Sequence, residues 1–383
     1  MMRYKIKHLF LCLLVFLQCS SAQETLQLGA EQTDLYFPYI KGKRIGLVGN
    51  QSSTIGSTHL VDSLLNSKQQ LIKVFSPEHG FRGTADAGAP IKSGVDQQTG
   101  LPIVSLYGNN KKPSDTQLEG IEVLLFDIQD VGARFYTYIS TLHYVMEAAA
   151  ENGIPLIVLD RPNPNGHYVD GPILDTAYQS FVGMHPIPTV HGMTIGEYAQ
   201  MINGQKWLND GVQCQLKVVA MRGYSRSMPY DLPLKPSPNL PNAQSVNLYP
   251  SLCLFEGTNV SVGRGTPLPF QHYGAPYLIS DYFFVPKSGE GAKYPKHEGQ
   301  KCYGKDLTTY NKLSQLDLSF LIDAYQQSED KDTFFNAFFD KLAGGNSLRL
   351  SIIDGQSQGE IKQSWDTDLS DFKAMRKHYL IYQ

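Results

Sequence analysis

"GIEVLLFDIQDVGARFYTYISTL", residues 120–142, changes character within a few positions. Gly120–Leu125 is a near-continuous apolar run, the pattern of a strand buried on both faces. Asp127, Gln129, Asp130, Arg134, Tyr136 and Tyr138 then crowd together at its end. Open parallel sheets bind ligands beyond the carboxyl ends of their strands. Two acids, a base, an amide and two phenols at the mouth of a buried strand therefore mark a site.

The flanks repeat the pattern. Strands are expected in "KRIGLVGNQSS" (43–53), "LIKVFSPEHG" (71–80), "LPIVSLYG" (101–108), "IPLIVLDRPNPNG" (154–166) and "CQLKVVAMRG" (214–223). Helical spacing falls between them, in 57–66, 137–153 and 194–203, the last opening with Thr194 and Glu197 at capping-box distance. This alternation predicts an α/β fold, a Rossmann-like, mostly parallel sheet with helices on both faces. The Pro/Asn/Ser-rich passage 231–251 has no periodicity and suggests a boundary. We divide the chain into residues 1–22, 23–235 (the Rossmann-like domain) and 236–383, a smaller α+β domain. The latter is expected to hold helices around 317–343, a strand "LRLSIIDG" (348–355) and a terminal helix.

The first 22 residues are set apart. Arg3, Lys5 and Lys7 precede the apolar "LFLCLLVFL", and small residues follow, the layout of a secretory signal cut after Ala22. Bulky Leu17-Gln18 before Cys19 disfavours a lipoprotein anchor. Without that segment 30 basic residues face 36 acidic ones, a net charge of −6, which argues against nucleic acid or an anionic membrane as partner. Cys214, Cys253 and Cys302 remain, too few and too scattered for a disulfide framework or a zinc site. The expected protein is secreted or periplasmic, without stable membrane insertion, metal or cofactor; its oligomeric state is not legible.

Familiar catalytic signatures are missing. "GLVGNQ" is not a dinucleotide-binding glycine motif, and there is no phosphate-binding loop, nucleophile elbow or H-E-x-x-H. Carboxylates, tyrosines, amides and arginines remain, the groups of sugar recognition and glycoside hydrolysis.

Seven blocks in order, "SPEHGFRG", "GLPIVSLYG", "LLFDIQDVGARFYTYISTL", "LDRPNPNG…VDGP", "HGMTIGEYA", "PSPNLP" and "LFEGTNVSVGRGTPLPF", resemble the exo-β-N-acetylmuramidases of the NamZ type, glycoside hydrolase family 171. The resemblance runs from about Lys43 to the C-terminus. It implies removal of β-1,4-linked N-acetylmuramic acid from non-reducing ends of peptidoglycan fragments, in a cleft between two domains. Relatives of this kind often carry an acid where this chain has Gln271, so an acid there is not essential to its chemistry.

On this reading Glu78, at a strand end, is the general acid, since a partly desolvated carboxyl can protonate a leaving oxygen. Glu256 is the next carboxyl in line. Substrate contacts are expected from His79, Arg82, Asp127, Gln129, Arg134, Tyr136, Tyr138, Asp160, Arg161, Asn163, His191, Asn259 and Arg264. Of Asp127 and Asp130, three apart, at most one is expected to face the sugar, and the other to cap Gly132 or the following helix. Arg134 is the first choice for the lactyl carboxylate that distinguishes muramic acid, with Arg264 as rival, because a guanidinium suits a carboxylate. Two other readings use the same residues: a non-catalytic muropeptide-binding protein, and a metal-dependent amidase built on His79, Asp160 and His191.

Overall fold

The computed structural model describes residues 25–78, 80–81 and 93–383. The expected signal segment, His79 and Arg82 lie outside them.

Seven strands form the main sheet, in spatial order Gly94–Val95, Pro102–Ser105, Gln70–Ser76, Arg44–Gly49, Val123–Asp127, Leu156–Leu159, Leu216–Val219. All pairings are parallel except that of the short edge strand Gly94–Val95. The chain starts in the middle, at Arg44–Gly49, winds outward through Gln70–Ser76 to Pro102–Ser105, and returns to Val123–Asp127 on the other side. That is the doubly wound order of a Rossmann sheet, which opens a crevice where the winding reverses.

The sequence alternates between two apolar layers. Val48, Phe75, Leu124, Phe126, Leu156 and Val158 belong to a core shared with the helices Tyr138–Glu151 and Ile195–Gly204. Ile45, Leu47, Val74, Val123, Leu125, Ile157 and Leu159 belong to a second core, under the helices Thr33–Ile40 and Leu60–Asn66. Both faces are covered, which is why the strands read as unbroken apolar runs.

The first core continues into the C-terminal third, through Leu252, Phe270, Phe339 and Phe372. There a small antiparallel sheet (His272–Ala275, Cys302–Asp306, Phe283–Phe284) packs with short helices. The expected helices near 317–343 are Ser319–Gln327 and Phe339–Ala343, and the terminal one is Asp366–Arg376. One local expectation is overturned, and one passage without periodicity holds a helix. Residues 348–355 form no strand: Ser347–Ile353 is a helix, with Leu348 and Ile352, four apart, on its buried face. The passage 231–251 ends in the helix Ala243–Leu252, capped by Asn242, whose side chain accepts from the Ser245 N–H.

Candidate active site

A cavity of about 390 Å³ opens beyond the carboxyl ends of the strands Gln70–Ser76, Pro102–Ser105 and Val123–Asp127. From the sheet side come Glu78, Tyr107, Tyr136 and Tyr138; Ser237, Asn239, Tyr249, Glu256, Arg264 and Phe270 face them from beyond residue 235. Its size falls in the ~300–1,000 Å³ range of small-ligand sites.

Glu78 is half-buried, and the Thr137 hydroxyl donates to its Oε2 at 3.2 Å. The Tyr107 phenol faces the same carboxylate; burial first, then the Glu78 charge, pushes its pKa up. Glu256 stands in the 3-10 turn Cys253–Gly257 and is engaged differently. Arg264 donates to its Oε1 through Nε (2.6 Å), with Nη2 at 2.5 Å from the same oxygen. Burial disfavours the guanidinium charge, but the carboxylate more than offsets it, so the Arg264 pKa lies above its ordinary value. The cavity thus holds two carboxylates, Glu78 beside the Thr137 and Tyr107 hydroxyls and Glu256 paired with Arg264.

Aromatic rings build the remaining wall. Tyr136 and Tyr138 meet edge to face at 4.8 Å, and both hydroxyls donate to the Pro236 carbonyl, at 2.7 and 3.3 Å. Tyr249 packs edge-on against Phe270 at 5.0 Å, and the Arg264 guanidinium lies 5.3 Å from the Phe270 ring centroid. Phe270 has φ 56°, a left-handed conformation that costs a bulky residue about 1–3 kcal/mol. Its N–H is tied to the Val262 carbonyl at 2.8 Å, so the loop holds the ring against the cavity despite that cost.

Of the described candidates, Glu78, Tyr136, Tyr138, Glu256 and Arg264 line this cavity. The others are placed elsewhere. Arg134 is fully buried, and its guanidinium donates to the carbonyls of Pro172, Ile187, Leu342 and Ala343 at 2.7–3.1 Å. Gly344, at φ 82°, makes room for it: a Cβ there would stand 2.4 Å from Nη2. Asp127 accepts both arms of the Arg161 fork, at 2.5 and 2.9 Å, so neither side chain faces a sugar. Asp130 caps the Gly132 N–H at 2.7 Å, as expected of one member of the acidic pair. Gln129 donates to the carbonyls of Asp130 and Pro162.

Asp160 gathers the N–H of Gly196 and the hydroxyls of Thr194 and Tyr382 at 2.6–2.8 Å, and burial raises its pKa to about 6. Asn163 donates to the Met193 carbonyl. His191 is buried, its Nδ1 accepts from the Met193 N–H, and burial lowers its pKa to about 3. Asn259 accepts from the Tyr277 hydroxyl at 2.6 Å. These are joints between loops. A polar side chain at a buried strand end must find a partner inside the protein, and most of these have one.

The sequence reading passed over Tyr107, although "SLYG" ends the third strand, where the same strand-end argument applies. It also passed over Asn239 and Tyr249, which lie in the passage taken for a boundary. No group of three or more His, Cys, Asp or Glu that could hold a metal occurs among the described residues, and none of their helices is long and apolar enough to cross a membrane.

The family model described as exo-beta-N-acetylmuramidase NamZ, N-terminal, matches residues 45–244, and its C-terminal counterpart matches residues 247–382. The chain belongs to the NamZ exo-beta-N-acetylmuramidase family. It is 42% identical over 373 residues to the peptidoglycan beta-N-acetylmuramidase NamZ of Bacillus subtilis (strain 168), covering 91% of this chain and 89% of that protein. Two crystal structures of DUF1343 family proteins from Bacteroides fragilis share its fold. One is 46% identical with a TM-score of 0.88, the other 30% identical with a TM-score of 0.81; each comparison covers 94% of this chain and 99% of the other.

Proposed function

We propose that this NamZ-family protein is a glycoside hydrolase that removes β-1,4-linked N-acetylmuramic acid from the non-reducing ends of peptidoglycan fragments. The observation that carries the reading is the pairing of Glu78 and Glu256 across one aromatic-lined cavity, within a chain whose relative is a peptidoglycan beta-N-acetylmuramidase. The muropeptide-binding alternative is not favoured by that relative, and the amidase reading loses Asp160 and His191 to structural contacts.

In this account Glu78 protonates the glycosidic oxygen, with Thr137 and Tyr107 fixing its carboxyl. Tyrosine faces supply apolar area for the sugar ring. Arg264 takes over from Arg134 as the cation for the lactyl carboxylate: two of its nitrogens serve Glu256, and the rest of the fork remains for a ligand. The substrate's own 2-acetamido group is suited to act as nucleophile, a route open to glycosidases that lack a protein one. Residues 23–235 and 236–383 act as two domains that share the cleft, and residues 1–22 direct export of the protein.

The test is a time course on glycan strands that end in either muramic acid or glucosamine. Muramic acid should appear as a free monosaccharide from the first kind only. Release of larger fragments, or equal action on both, contradicts the reading.

A further inference from the structure

Glu256 reaches the cavity from the 3-10 turn that follows the helix Ala243–Leu252. The 3-10 turn Cys253–Gly257 ends at an extended Thr258, whose N–H donates to the Phe255 carbonyl, while Asn336 donates to the carbonyls of Glu256 and Gly257. A distant segment adds a charged donor. Lys296 Nζ donates to the carbonyls of Phe255 (3.1 Å), Val260 (3.0 Å) and Thr258. The next residue, His297, at φ 58°, sets its Nε2 2.5 Å from the Asn259 carbonyl. An ammonium has three N–H donors, and all three are spent on this one stretch of backbone.

We propose that Lys296 is a positioning residue for the glycosidase reaction: its ammonium, bonded to the carbonyls of Phe255, Thr258 and Val260, holds the turn that presents Glu256 to the cavity and keeps Glu256 paired with Arg264. The inference rests on the function proposed above. Lys296 does not line the cavity and acts through the backbone.

Burial lowers the Lys296 pKa to about 8; the Glu256 charge works against that shift and the Arg264 charge with it. His297, the adjacent titratable group, is itself held below its ordinary pKa by burial first. A neutral amine has two donors for three carbonyls, so the grip weakens above pH 8. Stability moves the other way. With the folded pKa below the ordinary 10.5, the unfolded chain binds more protons between these values, and folding strengthens as pH rises through the window. Activity lost on the alkaline side without loss of stability is a signature that a merely structural lysine would not give.

The experiment compares wild type, Lys296→Arg and Lys296→Met in kcat, KM, thermal unfolding and amide hydrogen exchange. Lys296→Met should lower kcat by about tenfold or more, as expected when a carboxylate facing the substrate is misplaced, with a smaller change in KM. Its Thr258 and Val260 amides should exchange roughly tenfold faster at pH 7, through local opening. Lys296→Arg, charged at every working pH, should keep most of the activity and lose the alkaline limb near pH 8. Slow exchange and wild-type kcat in Lys296→Met, or an unmoved limb in Lys296→Arg, overturns the proposal. A wild type that releases no muramic acid contradicts the proposed function instead, and the exchange rates then still decide whether Lys296 holds the turn.

Discussion

Arg134 and Ala343, 209 positions apart, are joined by a hydrogen bond of 2.7 Å from Nη2 to the carbonyl at the end of the helix Phe339–Ala343. The same guanidinium holds the Leu342 carbonyl, and Leu342 lines the cavity. A loop of the parallel sheet thus fixes a wall contributed by the C-terminal third. Arg134→Ala should destabilise the protein by roughly 3 kcal/mol or more, because several buried carbonyls lose their donor at once. Denaturant unfolding checks this. Near-wild-type stability with a selective loss on muramyl substrates would return Arg134 to the ligand.

Glu78→Gln should reduce turnover roughly 10²- to 10⁴-fold with substrate binding largely kept, the range for loss of a general acid. The deficit should shrink on an aryl glycoside whose leaving group needs no proton. Steady-state kinetics on both substrates decide. A full deficit on both assigns Glu78 some other role, and normal turnover moves the acid to Glu256.

Arg264→Ala should weaken muramyl substrates by roughly 1.5–3 kcal/mol, the contribution of a charge-assisted hydrogen bond. A substrate whose lactyl carboxylate is methyl-esterified should lose less in the variant, since only the effect on Glu256 then remains. Because Glu256 loses its partner in this variant, the comparison between the two substrates carries the argument. Equal losses on both would make Arg264 a support for Glu256 alone.

The small sheet carries a pH-dependent term. His272 is sandwiched between Phe284, 3.9 Å away, and hydrogen bonds to Thr266 and Tyr282. Burial lowers its pKa to about 4, with Asp306 opposing. The unfolded chain therefore binds more protons between pH 4 and the ordinary 6.5, and this residue makes stability rise with pH across that window. Asp130 and Asp160, raised by burial to about 7 and 6, act with the opposite sign. The difference between variants isolates the imidazole. The melting temperature of His272→Gln should climb less steeply from pH 4 to 6.5 than that of wild type. Parallel curves would show that the ring is not held neutral.

Much of the fold was legible because a sheet covered on both faces writes itself as apolar runs, and Gly153 and Thr194 punctuate the helices between them. The 348–355 segment misled because Leu348, Leu350 and Ile352 alternate like a strand, whereas burial of Leu348 and Ile352 together with exposure of Leu350 is helical. The strand-end argument found the correct edge of the sheet. It could not separate Glu78, which reaches the cavity, from Asp127, which reaches Arg161, since that depends on which loop covers which strand end. Tyr249 and Asn239 were hidden because a passage rich in proline and asparagine reads as a connector even where it lines a cavity.

The most direct measurement incubates the protein, and its Glu78→Gln variant, with a disaccharide of N-acetylmuramic acid β-1,4-linked to N-acetylglucosamine. The account predicts free N-acetylmuramic acid and N-acetylglucosamine in equal amounts from wild type, and a release slowed roughly 10²- to 10⁴-fold in the variant. An intact disaccharide after prolonged incubation with folded wild-type protein, or equal release by both proteins, would contradict it.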